Sequence, residues 1–201
     1  AVGDPISYRP TPEEVLYEAW QQLPSGPKIV LAHSFGANAI LAMIQQQPLA
    51  DVAAMVMVSV YSKPCYNDFT WPLFVDYVNE FEKFIVSSIA VRQGANSLSS
   101  ASKELILQKV KNSYSPSSWL EFYMIFSQTP GLNLSSLTMP MLILSGAEDF
   151  SIEQKDIRQF ASRLQDAEFY CMEQCGHFSM LEQPKYTAQL ISKFLTKRTI
   201  L

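Results

Sequence analysis

The chain has 201 residues, 48% hydrophobic and 17% charged, with a net charge of −4. That is a one-domain length with enough apolar content to bury a sizeable core, which excludes a disordered chain. The acidic balance argues against nucleic acid as a partner, because neutralising phosphates needs a concentrated basic face.

Residues 1–10, with Gly3, Pro5 and Pro10, read as an extended connection. Thr11-Pro12-Glu13-Glu14 then combines an N-cap threonine, a proline at the first helical position and a glutamate placed to close a capping box. Val15, Leu16, Ala19, Trp20 and Leu23 give that helix one apolar face, and Pro24-Ser25-Gly26-Pro27 stops it. A buried strand is expected over 28–33, and a helix follows it to about Gln47-Pro48. Ala53 to Val60, almost continuously apolar, reads as a second strand buried on both faces of a parallel sheet.

From Tyr61 to Ser136 the pattern changes to helical spacing rich in aromatics, including Trp71, Phe74, Tyr77, Phe81, Phe84, Trp119, Phe122 and Phe126. Three or four helices are expected here, one of them capped by Ser118 and Glu121. The most apolar long run, Leu73 to Val91, carries Asp76, Glu80, Glu82 and Lys83, so it reads as amphipathic and not as a membrane span. Strand character returns at 139–146, followed by Ala147-Glu148-Asp149. Ser151 and Gln154 are expected to cap the next helix, Glu168 to Met172 reads as a short strand, Gly176-His177-Phe178 as a loop, and Pro184 opens a terminal helix.

The chemistry concentrates at Lys28 to Asn38, where a strand-like run meets Ser34 and turns at once into a helix. Such a turn strains the middle residue, and small neighbours, here Ala32 and Gly36, are expected to keep Cβ atoms clear of it. The turn exposes the serine hydroxyl and offers the Phe35 N–H to an oxyanion. A serine hydroxyl needs a base, and the chain has two histidines. His33 precedes the serine on the strand and is expected to project to the far side of the turn, which leaves His177. For the carboxylate that orients it, Asp149 is chosen over Glu148, because the extra residue lets the loop curl toward the histidine and Gly146 permits a tight exit. Ser34, Asp149 and His177 each sit at the carboxyl end of a predicted parallel strand, where ligands bind in such sheets.

The cysteines, Cys65, Cys171 and Cys175, lack the spacing of a zinc site and read as free thiols in a reducing, cytoplasmic compartment. No metal or organic cofactor is required by this chemistry.

Ala32-His33-Ser34-Phe35-Gly36, Ser145-Gly146-Ala147-Glu148-Asp149 and Cys175-Gly176-His177-Phe178 resemble the nucleophile turn, acid loop and histidine loop of the α/β-hydrolase superfamily. The resemblance implies a mostly parallel sheet flanked by helices, a core of residues 1–60 and 137–201, and a helical lid over 61–136. It also implies a serine esterase working through an acyl-enzyme, with thioesterase, amidase or a catalytically weak ligand-binding fragment as rivals. Ser62-Lys63-Pro64-Cys65-Tyr66 and Trp71-Pro72 further resemble esterases that demethylate pimeloyl-acyl-carrier-protein methyl ester in biotin synthesis. On that resemblance Phe35, Trp71, Phe122, Phe126 and Phe178 would line an acyl channel, and Arg92, Lys103, Lys109 and Lys111 would receive the acidic carrier protein. The family places about four strands and a second oxyanion donor ahead of the first helix. The expectation is therefore a fragment or split protein whose strand edge beside Ser34 is covered by a missing N-terminal segment or partner chain.

Overall fold

A computed structural model describes residues 10–49, 51–91, 98–113 and 116–200. Four strands, β1 (Lys28–His33), β2 (Val52–Val58), β3 (Met141–Gly146) and β4 (Ala167–Met172), form one parallel sheet in the order β1-β2-β3-β4. Two strands are shorter than their apolar runs: β2 ends at Val58, and β3 starts after Pro140, which has no N–H to give to a ladder.

Alternation along the strands splits the core in two. Met55, Met57, Met141 and Ile143 face one side, against α1 (Pro12–Gln21), α2 (Phe35–Gln46) and α6 (Gln154–Ser162). Ala54, Val56, Val58, Leu142 and Leu144 face the other, against Leu190, Phe194 and Leu195 of the terminal helix (Pro184–Lys197). Each fully buried side chain of this size contributes about 1.5–3 kcal/mol, so the helices are held to both faces by the continuous apolar runs read from the sequence. Strand β1 pairs with β2 alone among the described residues, and its Ile29 and Leu31 remain 40% and 64% exposed.

The capping box at Thr11 forms, with Thr11 Oγ1 accepting from the Glu14 N–H and Glu14 accepting from the Thr11 N–H. Two other caps differ from expectation. Helix α6 has Glu153 at its N-cap with no side-chain cap, because Ser151 donates to Asp149 instead. Helix α5 (Pro116–Ser127) begins with its proline, two residues ahead of Ser118, which places Ser118 inside the first turn. Residues 61–136 otherwise hold α3 (Trp71–Ala90), α4 (Ser100–Ser113), α5 and short 3-10 turns. Among the described residues no helix is long and apolar enough to cross a membrane.

Candidate active site

The parallel register brings the carboxyl ends of the strands to one edge: His33 pairs with Val58, Val58 with Leu144, and Gly146 with Met172. Ser34 leaves β1 with φ 52° and ψ −127°, a left-handed conformation costly for a residue with a Cβ. Its N–H still donates to the Val58 carbonyl at 2.9 Å, so the sheet holds the strained residue in place. The strain turns the chain into α2 and raises the hydroxyl above the sheet edge. Phe35 opens α2, in the first turn, where N–H groups have no carbonyl four residues back.

Ser34 Oγ lies 2.9 Å from His177 Nε2, and His177 Nδ1 lies 2.8 Å from Asp149 Oδ2. A carboxylate only accepts, so Nδ1 carries the proton and Nε2 presents its lone pair to the Ser34 hydroxyl. Asp149 and His177 are each 5% exposed. Burial alone would raise the Asp149 carboxyl, but the hydrogen bond and charge of His177, with hydrogen bonds from Ser151, outweigh it and hold it below the usual carboxylate range. Glu148, the reserve acid, is exposed. Gly146 is needed for a reason other than a flexible exit, because a Cβ there would overlap the carbonyl oxygens of Cys175 and Gly176. The close approach of β3 to the histidine loop depends on its absence.

A cleft of about 340 Å³ opens at Ser34, walled by Tyr77, Phe81 and Phe84 of α3, Trp119, Phe122 and Phe126 of α5, and His33, Phe35 and Phe178. Phe35 packs edge-to-face on Phe122 at 4.4 Å. Of the residues expected to line an acyl channel, Phe35, Phe122, Phe126 and Phe178 are in the wall of this cleft. Trp71 does not: it is 72% exposed and stacks on Phe74 at the start of α3. Lys103 and Lys109 are exposed on α4, Lys111 is paired with Glu82, and Arg92 lies outside the described residues. Among the described residues no three His, Cys, Asp or Glu side chains cluster to hold a metal ion.

Residues 13–184 match the family model described as serine aminopeptidase, S33. The chain belongs to that family. Its members are α/β hydrolases, and solved structures agree on the fold. MGS-M2, an α/β hydrolase enzyme from a Medee basin deep-sea metagenome library, aligns with TM-score 0.64 and 19% identity over 98% of this chain and 76% of that one. The esterase EaEST from Exiguobacterium antarcticum aligns with TM-score 0.66 and 14% identity over 90% and 72%. MenH from S. aureus aligns with TM-score 0.67 and 15% identity over 98% and 79%. No curated protein matches the chain.

In this α/β hydrolase the histidine loop is held by residues that the sequence reading did not assign. His33 was expected on the far side of the turn. Instead the positive φ of Ser34 redirects the chain just after it, and His33 Nε2 sits 3.0 Å from the His177 carbonyl, with the two rings 4.8 Å apart. A carbonyl accepts, so His33 is the Nε2–H tautomer, and burial lowers its pKa below the ordinary 6.5. Ser59 Oγ donates to the same carbonyl at 3.0 Å. On either side of His177, the Gly176 and Phe178 N–H groups donate to the two carboxylate oxygens of Glu182 at 2.7 and 2.9 Å. The only sequence signal for Glu182 is an acid five residues past the histidine. Gly36 also departs from expectation: a Cβ there would meet nothing within 4 Å, because the residue borders an open groove beside Pro10, Pro12, Val15 and Ala39.

Proposed function

We propose that the protein hydrolyses carboxylic esters through an acyl-enzyme at Ser34. The observation that carries this reading is the unbroken chain of hydrogen bonds from Ser34 to His177 to Asp149 at the floor of an apolar cleft. Ser34 Oγ attacks the acyl carbon as His177 Nε2 takes its proton. The Phe35 N–H donates to the developing oxyanion, and His177 returns the proton to the departing alcohol. Asp149 holds the imidazole tautomer and stabilises the imidazolium. In this reading residues 61–136 act as a lid whose helices α3 and α5 wall the acyl site.

The cleft walls favour an uncharged acyl group over an aminoacyl one. No Asp or Glu is among the described residues lining the cleft, so the α-ammonium of an aminopeptidase substrate would be desolvated there without a partner among them. The narrower reading, a methyl ester on an acyl chain carried by acyl carrier protein, rests on the short likeness at Ser62 to Tyr66 and on the exposed Lys103 and Lys109. The test is a panel of p-nitrophenyl esters, acyl thioesters and aminoacyl anilides. Esters of medium-chain acids turn over fastest, and Ser34→Ala lowers that turnover at least ~10³-fold without loss of fold. Undiminished hydrolysis by the variant would remove the assignment.

A further inference from the structure

A second cavity adjoins the same catalytic pair. It is small, about 50 Å³, and Ser34 and His177 form part of its wall together with Ser59, Ser151, Tyr61 and Tyr77. Where the main cleft is aromatic and apolar, this one is rich in hydroxyl groups. Tyr77, Phe84 and Phe126 line both spaces. Tyr77 and Phe84 come from α3, seven residues apart and so on one face of the helix. The Phe84 ring stands 5.0 Å from that of His177.

Two groups in this cavity wall have no use in the chemistry described so far. Tyr61 is 6% exposed, and neither its hydroxyl nor that of Tyr77 makes a well-formed hydrogen bond among the described residues. The two phenols face each other closely enough to interact, but a pair of hydroxyls shares one bond and leaves one O–H without an acceptor. A buried hydroxyl left unpaired costs roughly 1–3 kcal/mol, so the pair calls for a ligand. Their placement is rigid. The rings meet edge-to-face at 5.6 Å, and both pack on Phe126. The Tyr61 backbone is fixed by buried Asn38, which donates to the Tyr61 carbonyl at 2.7 Å and accepts from its N–H at 3.0 Å.

We infer that Tyr61 and Tyr77 position the water that hydrolyses the acyl-enzyme. The inference rests on the acyl-enzyme reading above. A cavity of this size admits one or two waters, each with a share of about 30 Å³, and is too small for an acyl chain. Tyr61, Tyr77, Phe84, Ser151 and Ile152 also line a larger, polar pocket that carries Lys63, Asp76, Glu80 and Glu153. The small cavity therefore adjoins a polar pocket as well as the apolar cleft. Burial raises the Tyr61 phenol to about 12 and pushes that of Tyr77 up as well, so both remain O–H groups at neutral pH, able to donate to the water and accept from it.

In the step itself, the water oxygen bonds to the acyl carbon of the Ser34 ester as one water proton passes to His177 Nε2. The tetrahedral adduct collapses with cleavage of the bond to Ser34 Oγ, the proton returns from His177 to Oγ, and the free carboxylic acid leaves. Tyr61 and Tyr77 are positioning residues that aim the water lone pair at the acyl carbon.

The test is pre-steady-state hydrolysis of a medium-chain p-nitrophenyl ester by the wild type, Tyr61→Phe, Tyr77→Phe and the double variant. Loss of water positioning slows deacylation alone. Tyr61→Phe, whose side chain is not among the cleft walls, is expected to keep kcat/KM and the burst rate within ~2-fold, while kcat and KM fall together by ~10-fold or more and acyl-Ser34 accumulates by intact mass; the double variant lowers kcat further. Unchanged kcat, or kcat/KM falling in step with kcat as for a leaving-group site or a structural role, overturns the inference. A high-resolution crystal structure gives a readout independent of the variants: an ordered water bonded to both phenol oxygens is expected, and its absence counts against the proposal. A wild type that turns over through Ser34 with no change in the variants defeats this inference alone, whereas a wild type that never acylates Ser34 defeats the proposed function with it.

Discussion

Replacing Asp149 by Asn changes one atom and reverses the logic of the site. Asp149 Oδ1 accepts two hydrogen bonds from Ser151, from the N–H at 3.0 Å and the hydroxyl at 2.6 Å, while Oδ2 accepts from His177 Nδ1 at 2.8 Å. An asparagine satisfies the two Ser151 donors only by placing its carbonyl oxygen in the Oδ1 position. Its NH₂ group then faces His177 and donates to Nδ1. The imidazole must take the Nε2–H tautomer, and Nε2, 2.9 Å from Ser34 Oγ, has no lone pair left to accept the serine proton. A wrong tautomer with intact geometry costs about 10⁴-fold in kcat, equivalent to about 5.4 kcal/mol of transition-state stabilisation. The assay is kcat for a medium-chain p-nitrophenyl ester at neutral pH, with thermal unfolding to show that the fold persists. A loss below ~30-fold, where the tautomer argument requires about 10⁴, would refute the role given to Asp149 and the orientation that Ser151 imposes on it.

Three further perturbations test how the site is held. Glu182→Ala removes the acceptors of the N–H groups flanking His177; hydrogen bonds to a charged group support a loss of roughly 2–4 kcal/mol in chemical denaturation, with kcat falling more than KM rises and Glu182→Gln intermediate. Lys63→Met strands the Asp156 carboxylate, 4% exposed and 2.9 Å from the Lys63 ammonium; the loss in urea unfolding is about 3–5 kcal/mol, and adding Asp156→Asn restores most of it. His33 has a folded pKa below its ordinary 6.5, so between those values the unfolded chain binds more protons than the folded one. Its contribution to stability is complete above about pH 6.5 and is lost as pH falls toward the folded value. His33→Gln keeps the donor to the His177 carbonyl, and its stability-versus-pH slope in that window is shallower than the wild type's by up to ~1.4 kcal/mol per pH unit; identical slopes would contradict the burial argument.

The sheet and the hydrogen-bonded line from Ser34 to His177 to Asp149 were legible because both are written in local pattern. Continuous apolar runs at β2 and β3 specify parallel strands covered on both faces, and a strand that turns into a helix at one serine specifies the strained joint. Chain order then places an acid and a histidine at the same edge. What supports them is not local. Strand alternation assigned His33 to the wrong side because alternation ends where Ser34 takes a positive φ. Ser59 and Glu182 are ordinary polar residues until folding brings them to the His177 loop, and Ser151, whose spacing to Gln154 reads as a helix cap, is drawn to Asp149 instead. Trp71 failed for a related reason. An aromatic at the first position of α3 faces solvent, and the cleft is walled one turn and more further along, at Tyr77, Phe81 and Phe84.

The central claim is that Ser34 is the nucleophile and that His177 and Asp149 activate it. Covalent labelling by a fluorophosphonate, read by intact mass and peptide mapping, tests it most directly, since the reagent bonds only to an activated serine. The predicted result is a single adduct on Ser34, absent in Ser34→Ala and slowed at least ~10²-fold in His177→Ala and Asp149→Asn. No adduct, or an adduct on another of the chain's serines, would contradict it.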